Sequence, residues 1–207
     1  MAVSTYAELQ QAVSDWLNRG DVEQSVPTFI ALCEAELRRN LRHINQETRA
    51  HLSIGWQYVD LPNDWLETKQ ITIPGAAGTH KLDLVSLDDL AEIIEEQGGE
   101  AGEPRYYAYN AGQIEIAPVP SGTYAGTIQY IAEVPALSDS NTTNWLLTRY
   151  PDLYLYGSLK QSAPFLGEDA RIATWQSLYQ AALDGANLEG KRARYSGTGL
   201  RMKVRAY

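Results

Sequence analysis

The segment Gly185-Ala-Asn-Leu-Glu-Gly-Lys191 has the spacing of a phosphate-binding loop. In such a loop, backbone N–H groups surround the phosphates, the lysine reaches them, and a following serine or threonine binds Mg²⁺. Arg192 occupies that last position here. The segment also follows a helical pattern, whereas a phosphate-binding loop follows a strand and begins a helix. We therefore interpret it as the end of a helix, capped by glycine and lysine.

Other residue types that support catalysis show no specific spacing. The three histidines, His43, His51 and His80, are too far apart in sequence for a helical zinc motif. No Gly-x-Ser-x-Gly elbow of a serine hydrolase is present. Glycoside hydrolysis needs a pair of carboxylates, and the candidates in the middle of the chain are Asp60, Glu67, Glu115 and Glu133. The sequence therefore predicts no catalytic residue, cofactor or metal site, with a small hydrolase kept as a remote alternative.

Charge is distributed unevenly along the chain. The net charge is −9, but residues 191–207 contain six cations and no acid, which leaves −15 on the rest. An acidic surface repels nucleic acid. The basic segment has three readings: a solvated tail, a nucleic-acid contact, or an extended arm that docks on an acidic protein surface. Strict alternation of apolar and basic residues favours the third reading, and the arm residues are Lys191, Arg192, Arg194, Tyr195, Leu200, Arg201, Met202, Lys203, Val204, Arg205 and Tyr207.

Two features indicate the compartment. A single cysteine, Cys33, excludes an intramolecular disulfide and a thiolate zinc cluster. Neither a signal peptide nor an apolar run long enough to span a bilayer is recognisable. We expect synthesis in a cytoplasm and no membrane contact.

Helical patterns occupy both ends of the chain. Thr5 and Glu8 form a capping box that predicts a helix through Leu17, and Ser25 with Pro27 predicts the start of a second. Near the C terminus, Pro151 predicts a helix start and Pro164 an end. A further helix opens at Gly167-Glu-Asp169 and buries a stripe through Trp175 and Tyr179. Gly157, inside the first of these helices, allows close approach of another helix or chain.

Between the helices, side chains alternate with a period of two, which predicts strands. Asn110-Ala-Gly112 predicts a hairpin turn, Ser86 predicts the cap of a helix, and residues 64–67 are predicted as a helical turn. The predicted fold is α+β: a helical bundle from residues 1–43 and 144–190, a β-rich insertion at 44–143, and an extended arm at 191–207.

The C-terminal helices resemble those of tailed-phage head-to-tail adaptor, or connector, proteins. The resembling elements cover about a fifth to a quarter of the chain: Trp145 to Leu147, Arg149 to Leu153, Ala163 to Leu166, Trp175 and Tyr179. The layout of the remainder, with helices on both sides of a β-rich middle, is compatible.

The resemblance implies a non-enzymatic virion protein of the neck, at the head–tail junction. Many copies, twelve by analogy, would form a ring below the portal, extend the DNA channel and provide the platform for a tail or nozzle protein. The arm at 191–207 would reach into the portal, by position only. Genomic DNA would pass during ejection without specific binding. The helices expected to pack against neighbouring subunits carry Tyr150, Tyr154, Gly157, Trp175 and Tyr179.

A different class of function remains open. An acidic binding module with a basic tail that binds nucleic acid has the same charge distribution. Its DNA binding would weaken steeply with salt.

Overall fold

The computed structural model describes residues 3–76, 78–167 and 170–195. The chain forms two compact units: a helical unit, Met1–Asn45 with Val134–Tyr207, and a β unit, Gln46–Glu133. In the described residues the helices are α1 (Tyr6–Leu17), α2 (Val26–Asn40), α3 (Leu87–Glu96), α4 (Trp145–Arg149), α5 (Pro151–Gln161), α6 (Ala163–Leu166) and α7 (Arg171–Tyr195). The strands are β1 (Glu47–Ile54), β2 (Tyr58–Asp60), β3 (Trp65–Gly75), β4 (Gly78–Lys81), β5 (Asp83–Leu84), β6 (Tyr106–Asn110), β7 (Gln113–Ala117) and β8 (Tyr124–Ala132). The predicted α+β class is confirmed.

Local sequence signals begin the helices of the helical unit. The capping box at α1 is present: Glu8 N donates to Thr5 Oγ1 at 3.3 Å, and Thr5 N donates to Glu8 Oε2 at 3.0 Å. Asn18, in the left-handed region at φ 52°, ends this helix. A 3₁₀ turn at Gly20–Ser25 then leads into α2.

α5 is the central helix of the helical unit and packs against α1, α2 and α7. Leu153, Tyr154, Gly157 and Leu159 are all buried, so the helix is apolar on several sides. A helix enclosed in this way belongs in the interior of a bundle. Residues from both ends of the chain therefore share one core, which includes Phe29 from α2 and Trp175 from α7.

The β unit contains two four-stranded sheets with the orders β1-β8-β3-β4 and β2-β7-β6-β5. All pairs are antiparallel except β5 with β6. Inward-facing aliphatic residues of both sheets form one core, for example Ile71 and Ile128 from the first and Ile114 and Ile116 from the second. α3, capped by Ser86, buries Leu90 against Ala108 and Ala117 of the second sheet.

The predicted β6–β7 hairpin is confirmed, with Asn110 pairing with Gln113. Ala111 and Gly112 have φ values of 46° and 89°. Two successive residues with positive φ give the two-residue turn that matches the twist of antiparallel strands.

Two predictions were wrong in detail, and a third lies partly outside the described residues. Residues 64–67 are not a helical turn, because Trp65–Gly75 pairs with β8 through two bulges. α7 begins at Arg171, while Glu168 and Asp169 lie outside the described residues. The β unit ends at Glu133 rather than at 143, because the following connector packs onto the helical unit: Leu137 is buried in its core and donates its N–H to Glu34 Oε1 at 2.8 Å.

The basic arm was also predicted to be extended from residue 191. Instead Lys191, Arg192, Arg194 and Tyr195 continue α7 to Tyr195. Cations at a helix C terminus interact favourably with the helix dipole, and no glycine or proline interrupts the sequence there. The other arm residues, Leu200, Arg201, Met202, Lys203, Val204, Arg205 and Tyr207, lie outside the described residues.

Candidate interaction surfaces

At Gly157, α5 lies very close to two neighbouring helices. A Cβ atom at this position would lie 2.3 Å from Cys33 Sγ on α2 and 3.0 Å from Cε2 of Tyr179 on α7. The glycine predicted from the sequence therefore serves close packing inside one helical unit. Tyr154, Trp175 and Tyr179 are likewise buried in that unit. Contacts of these helices with another subunit would have to use their other faces.

Tyr150 is the one half-buried member of the predicted packing set. Its hydroxyl donates to Glu189 Oε2 at 2.6 Å and lies 3.2 Å from His43 Nε2. Arg149 also pairs with Glu189. Burial, and then the nearby Arg149 cation, lower the pKa of His43. This cluster joins α4, α7 and the segment after α2, so it holds the C-terminal part of α7 against the rest of the helical unit.

A polar network in the helical core centres on Tyr154. Asn144 Nδ2 donates to the Tyr154 hydroxyl at 2.8 Å, and this hydroxyl donates to Glu34 Oε1 at 3.2 Å. Burial raises the pKa of Glu34. Asn144 is also the N-cap of α4, because its Oδ1 accepts the Leu147 N–H at 2.8 Å. One side chain therefore satisfies both a helix end and a buried hydroxyl.

A second core tyrosine, Tyr179, differs from Tyr154 in the hydrogen bonding of its hydroxyl group. The Tyr179 hydroxyl is buried without a hydrogen-bond partner among the described residues. We expect Tyr179→Phe to raise the free energy of unfolding by about 1 kcal/mol, because a buried unsatisfied hydroxyl is removed. Urea denaturation would measure this change. Tyr154→Phe is the matched control and should lower stability, since its hydroxyl is bonded; equal losses in both variants would contradict the assignment.

The exposed surface of the helical unit combines apolar and basic side chains. Leu178 and Leu188 on α7 expose 40% and 47% of their surface. Lys191, Arg192, Arg194 and Tyr195 are exposed in its last turns. α7 therefore exposes two leucines on an otherwise largely polar surface and ends in a cationic turn directly before residue 196.

Most of the negative charge belongs to the β unit. It contains 14 acidic and 4 basic residues, whereas the helical unit contains 12 and 13. From the charge pattern along the sequence, only the arm was distinguished from the rest of the chain. Trp56 and Tyr58 were also missed, although they expose 81% and 53% of their surface at the β2 edge. The available signal was two aromatic residues two positions apart, on the polar side of a short strand.

The remaining chemical candidates are dispersed. Gly185 and Gly190 lie inside α7, so the loop-like motif is neither a phosphate loop nor the helix end that we predicted. Gly190 instead packs against the backbone of His43. The four candidate carboxylates are divided between the two sheets of the β unit, with Asp60 and Glu115 on one, Glu67 on the other, and Glu133 after β8.

In the part of the chain that the structure describes, three or more histidine, cysteine, aspartate or glutamate side chains do not come together as a metal site. A cavity of about 590 Å³ beside β4 is lined by His80, Lys81, Glu103 and Arg105, among other residues. In it, His80 Nδ1 lies 3.2 Å from Glu103 Oε1. Each helix in these ranges is too short or too polar to cross a membrane.

The comparisons with known proteins address the chain as a whole. A comparison with curated proteins gives no match. Among protein families, the one described as SU10 adaptor protein matches residues 4–203, which includes both units and most of the basic segment. The resemblance seen in the C-terminal helices therefore extends over nearly the whole sequence. The chain belongs to the SU10 adaptor protein family of phage head-to-tail adaptors, which are structural proteins.

Proposed function

We propose that the protein forms a ring below the portal of a tailed phage, with twelve copies as the resemblance implies. The ring extends the DNA channel in the neck of the virion and provides the platform for a tail or nozzle protein. The protein has no catalytic role and takes no cofactor in this proposal. The observation that supports it most directly is the end of α7, where basic residues occupy the last turn directly before residue 196. The chain is also a member of an adaptor family.

The portal-docking arm is residues 191–207. Within it, residues 191–195 belong to α7. In this proposal the portal contact is made by residues 196–207, which carry Arg201, Lys203 and Arg205. These cations would bind an acidic surface of the portal.

Contacts between neighbouring copies use exposed side chains of the helical unit, outside the core that buries Tyr154, Gly157, Trp175 and Tyr179. Trp16 on α1 exposes 48% of its surface and Phe165 on α6 exposes 51%. Together with Leu178 and Leu188 they provide large apolar side chains outside the core. Such residues are enriched in the buried centres of subunit interfaces.

An acidic protein surface is suited to the wall of a channel through which DNA moves. Its carboxylates repel the DNA phosphates and prevent non-specific binding, so genomic DNA passes without being held. The β unit, with its net charge of −10, is the source of this repulsion if it reaches the channel. Reversing its exposed acids would then slow DNA ejection.

The decisive measurement is light scattering of the purified protein, alone and mixed with the portal protein of the same phage. We expect the portal to produce a large, discrete complex. Deleting residues 196–207 should abolish it while leaving α7 intact, because the deletion begins after Tyr195. A matched variant with Arg201, Lys203 and Arg205 replaced by glutamine keeps the length of the arm and should bind weakly.

A full-length protein that ignores the portal would contradict the proposal. The nucleic-acid-binding module would then be favoured, because the last turns of α7 expose cations. In that case, DNA binding should fall with salt at a log–log slope of about −0.9 for each phosphate contacted. The same deletion should weaken DNA binding without abolishing it, because Lys191, Arg192 and Arg194 remain on α7.

A further inference from the structure

The β2 edge of the β unit presents two exposed aromatic side chains beside a buried valine. Trp56 and Tyr58 are largely exposed, whereas Val59, the next residue, is only 8% exposed and belongs to the core. The strand thus has a true inner and outer face. Aromatic residues exposed together on a folded surface are typical of interaction sites.

The hydrogen bonds of β2 show which backbone groups remain at the edge. Ile116 N donates to Gln57 O at 2.9 Å, and Leu61 N donates to Gly112 O at 3.3 Å. The backbone N–H and C=O groups of residues 57, 59 and 61 therefore point towards β7. Because alternate residues of an antiparallel strand point in opposite directions, the N–H and C=O groups of Tyr58 and Asp60 point away from the sheet. β2 is terminal in its sheet among the described strands, so this side can accept another strand.

The outer face of this edge is acidic as well as aromatic. Glu115 stands directly opposite Tyr58, so both side chains are on one face. Asp60 follows Tyr58 by two residues and shares that face. Gln113 Nε2 donates to Asp60 at 2.6 Å, and Gln57 Nε2 donates to Glu115 at 2.8 Å, which holds both carboxylates in place. Carboxylates and the faces of aromatic rings both attract cations.

The other sheet edges are less suited to a basic strand. β1 carries Arg49, and β4 carries Lys81. β5 is two residues long, and Lys81 and Arg105 line the cavity beside it. Of the four edges, β2 alone combines exposed aromatic side chains with carboxylates on one face, within the described residues.

Residues 200–207 match this edge in pattern and charge. Leu200, Met202 and Val204 alternate with Arg201, Lys203 and Arg205. In a strand beside β2, the cations would lie on the outer face with Tyr58, Asp60 and Glu115, and the aliphatic side chains would extend the core beyond Val59. A shift by one residue would reverse the faces, so the pairing has a defined register.

We propose that residues 200–207 of one copy add as a strand to the β2 edge of a second copy. Donor segment and acceptor edge are different surfaces of the same chain, and a head-to-tail contact of this kind closes into rings when its rotation permits. The portal, if it binds the same segment as proposed above, would withdraw it. The contact therefore belongs to the free protein before it meets the portal.

Cysteine cross-linking of full-length protein tests this contact. One preparation carries Asp60→Cys, and a second carries Arg201→Cys, Lys203→Cys or Arg205→Cys in turn. Adjacent strands bring Cα atoms within the distance that a disulfide spans. The native Cys33 will not interfere, since it is fully buried and its burial raises the pKa of the thiol. The two preparations are mixed under mild oxidation and separated on a non-reducing gel.

We expect a mixed dimer, severalfold above the level obtained with Thr48→Cys as the acceptor, an exposed position on the β1 edge. Adding Glu115→Lys to the Asp60→Cys chain should lower the yield. A mixed dimer no more abundant than the Thr48→Cys control would overturn the proposal. The proposal would also be overturned if a chain made with both cysteines formed the disulfide only within itself and the mixed dimer did not form. The portal is absent, so failure here leaves portal docking untouched; adding portal should reduce the cross-link if both proposals hold.

Discussion

Gly157→Ala is expected to lower the free energy of unfolding by about 3 kcal/mol, the upper end of the usual range for overpacking a core. The added Cβ would lie 2.3 Å from Cys33 Sγ and 3.0 Å from the Tyr179 ring. Neither neighbour can yield easily, because both are fully buried and belong to different helices. The three helices that meet here would have to separate. Urea denaturation followed by circular dichroism measures the loss.

Two variants make this test specific. At Gly185, exposed on α7, an added Cβ atom would have no neighbour within 4 Å. Gly185→Ala should therefore stabilise the protein by up to about 1 kcal/mol through helix propensity. Cys33→Ala combined with Gly157→Ala removes the nearest obstructing atom and should recover part of the loss. If Gly157→Ala were as stable as the natural protein, the helices would not be as closely packed as described.

Asn144→Ala is the second change with a large expected effect. Removing the cap of α4 costs about 1 kcal/mol, and leaving buried groups without their partner costs about 1–3 kcal/mol more. The groups affected are the Leu147 N–H, the Pro135 carbonyl and the Tyr154 hydroxyl. We therefore expect a total loss of roughly 3 kcal/mol in thermal or urea unfolding.

Asn141→Ala is the matched control in the same connector. Its exposed Nδ2 donates to the Ala136 carbonyl at 2.6 Å, so the substitution should cost much less. Asn144→Ser retains a capping oxygen but loses the amide donors, and should fall between the natural protein and Asn144→Ala. Equal effects of the alanine substitutions at 141 and 144 would show that the buried network adds nothing beyond local turns.

These two sites also separate stability from assembly. Gly157 and Asn144 act inside the helical unit, whereas Trp56 and Tyr58 at the β2 edge are exposed on the β unit. Variants of Trp56 and Tyr58 should therefore unfold like the natural protein while losing their partner.

Local chemistry made much of the fold predictable. The Thr5–Glu8 capping box and Pro151 marked helix starts, because they act within one turn. The Asn110–Gly112 turn marked a hairpin for the same reason, and alternation indicated the strands. These signals established the α+β class, and the pattern around Trp145–Tyr179 indicated the adaptor family that the comparison confirmed.

Contacts distant in sequence decided the remainder. Trp65–Gly75 is a strand because β8 pairs with it, and nothing within residues 64–67 indicates that partner. Gly157 meets Cys33 and Tyr179, residues far from it along the chain, so only the tertiary structure shows that its close approach lies within one subunit. The exposure of Trp56 follows from the position of β2 at the edge of its sheet, and neighbouring residues do not encode that position. The sequence by itself determined the fold class, most of the elements and the family of the chain. Packing decided the remaining elements and which faces stay available to partners.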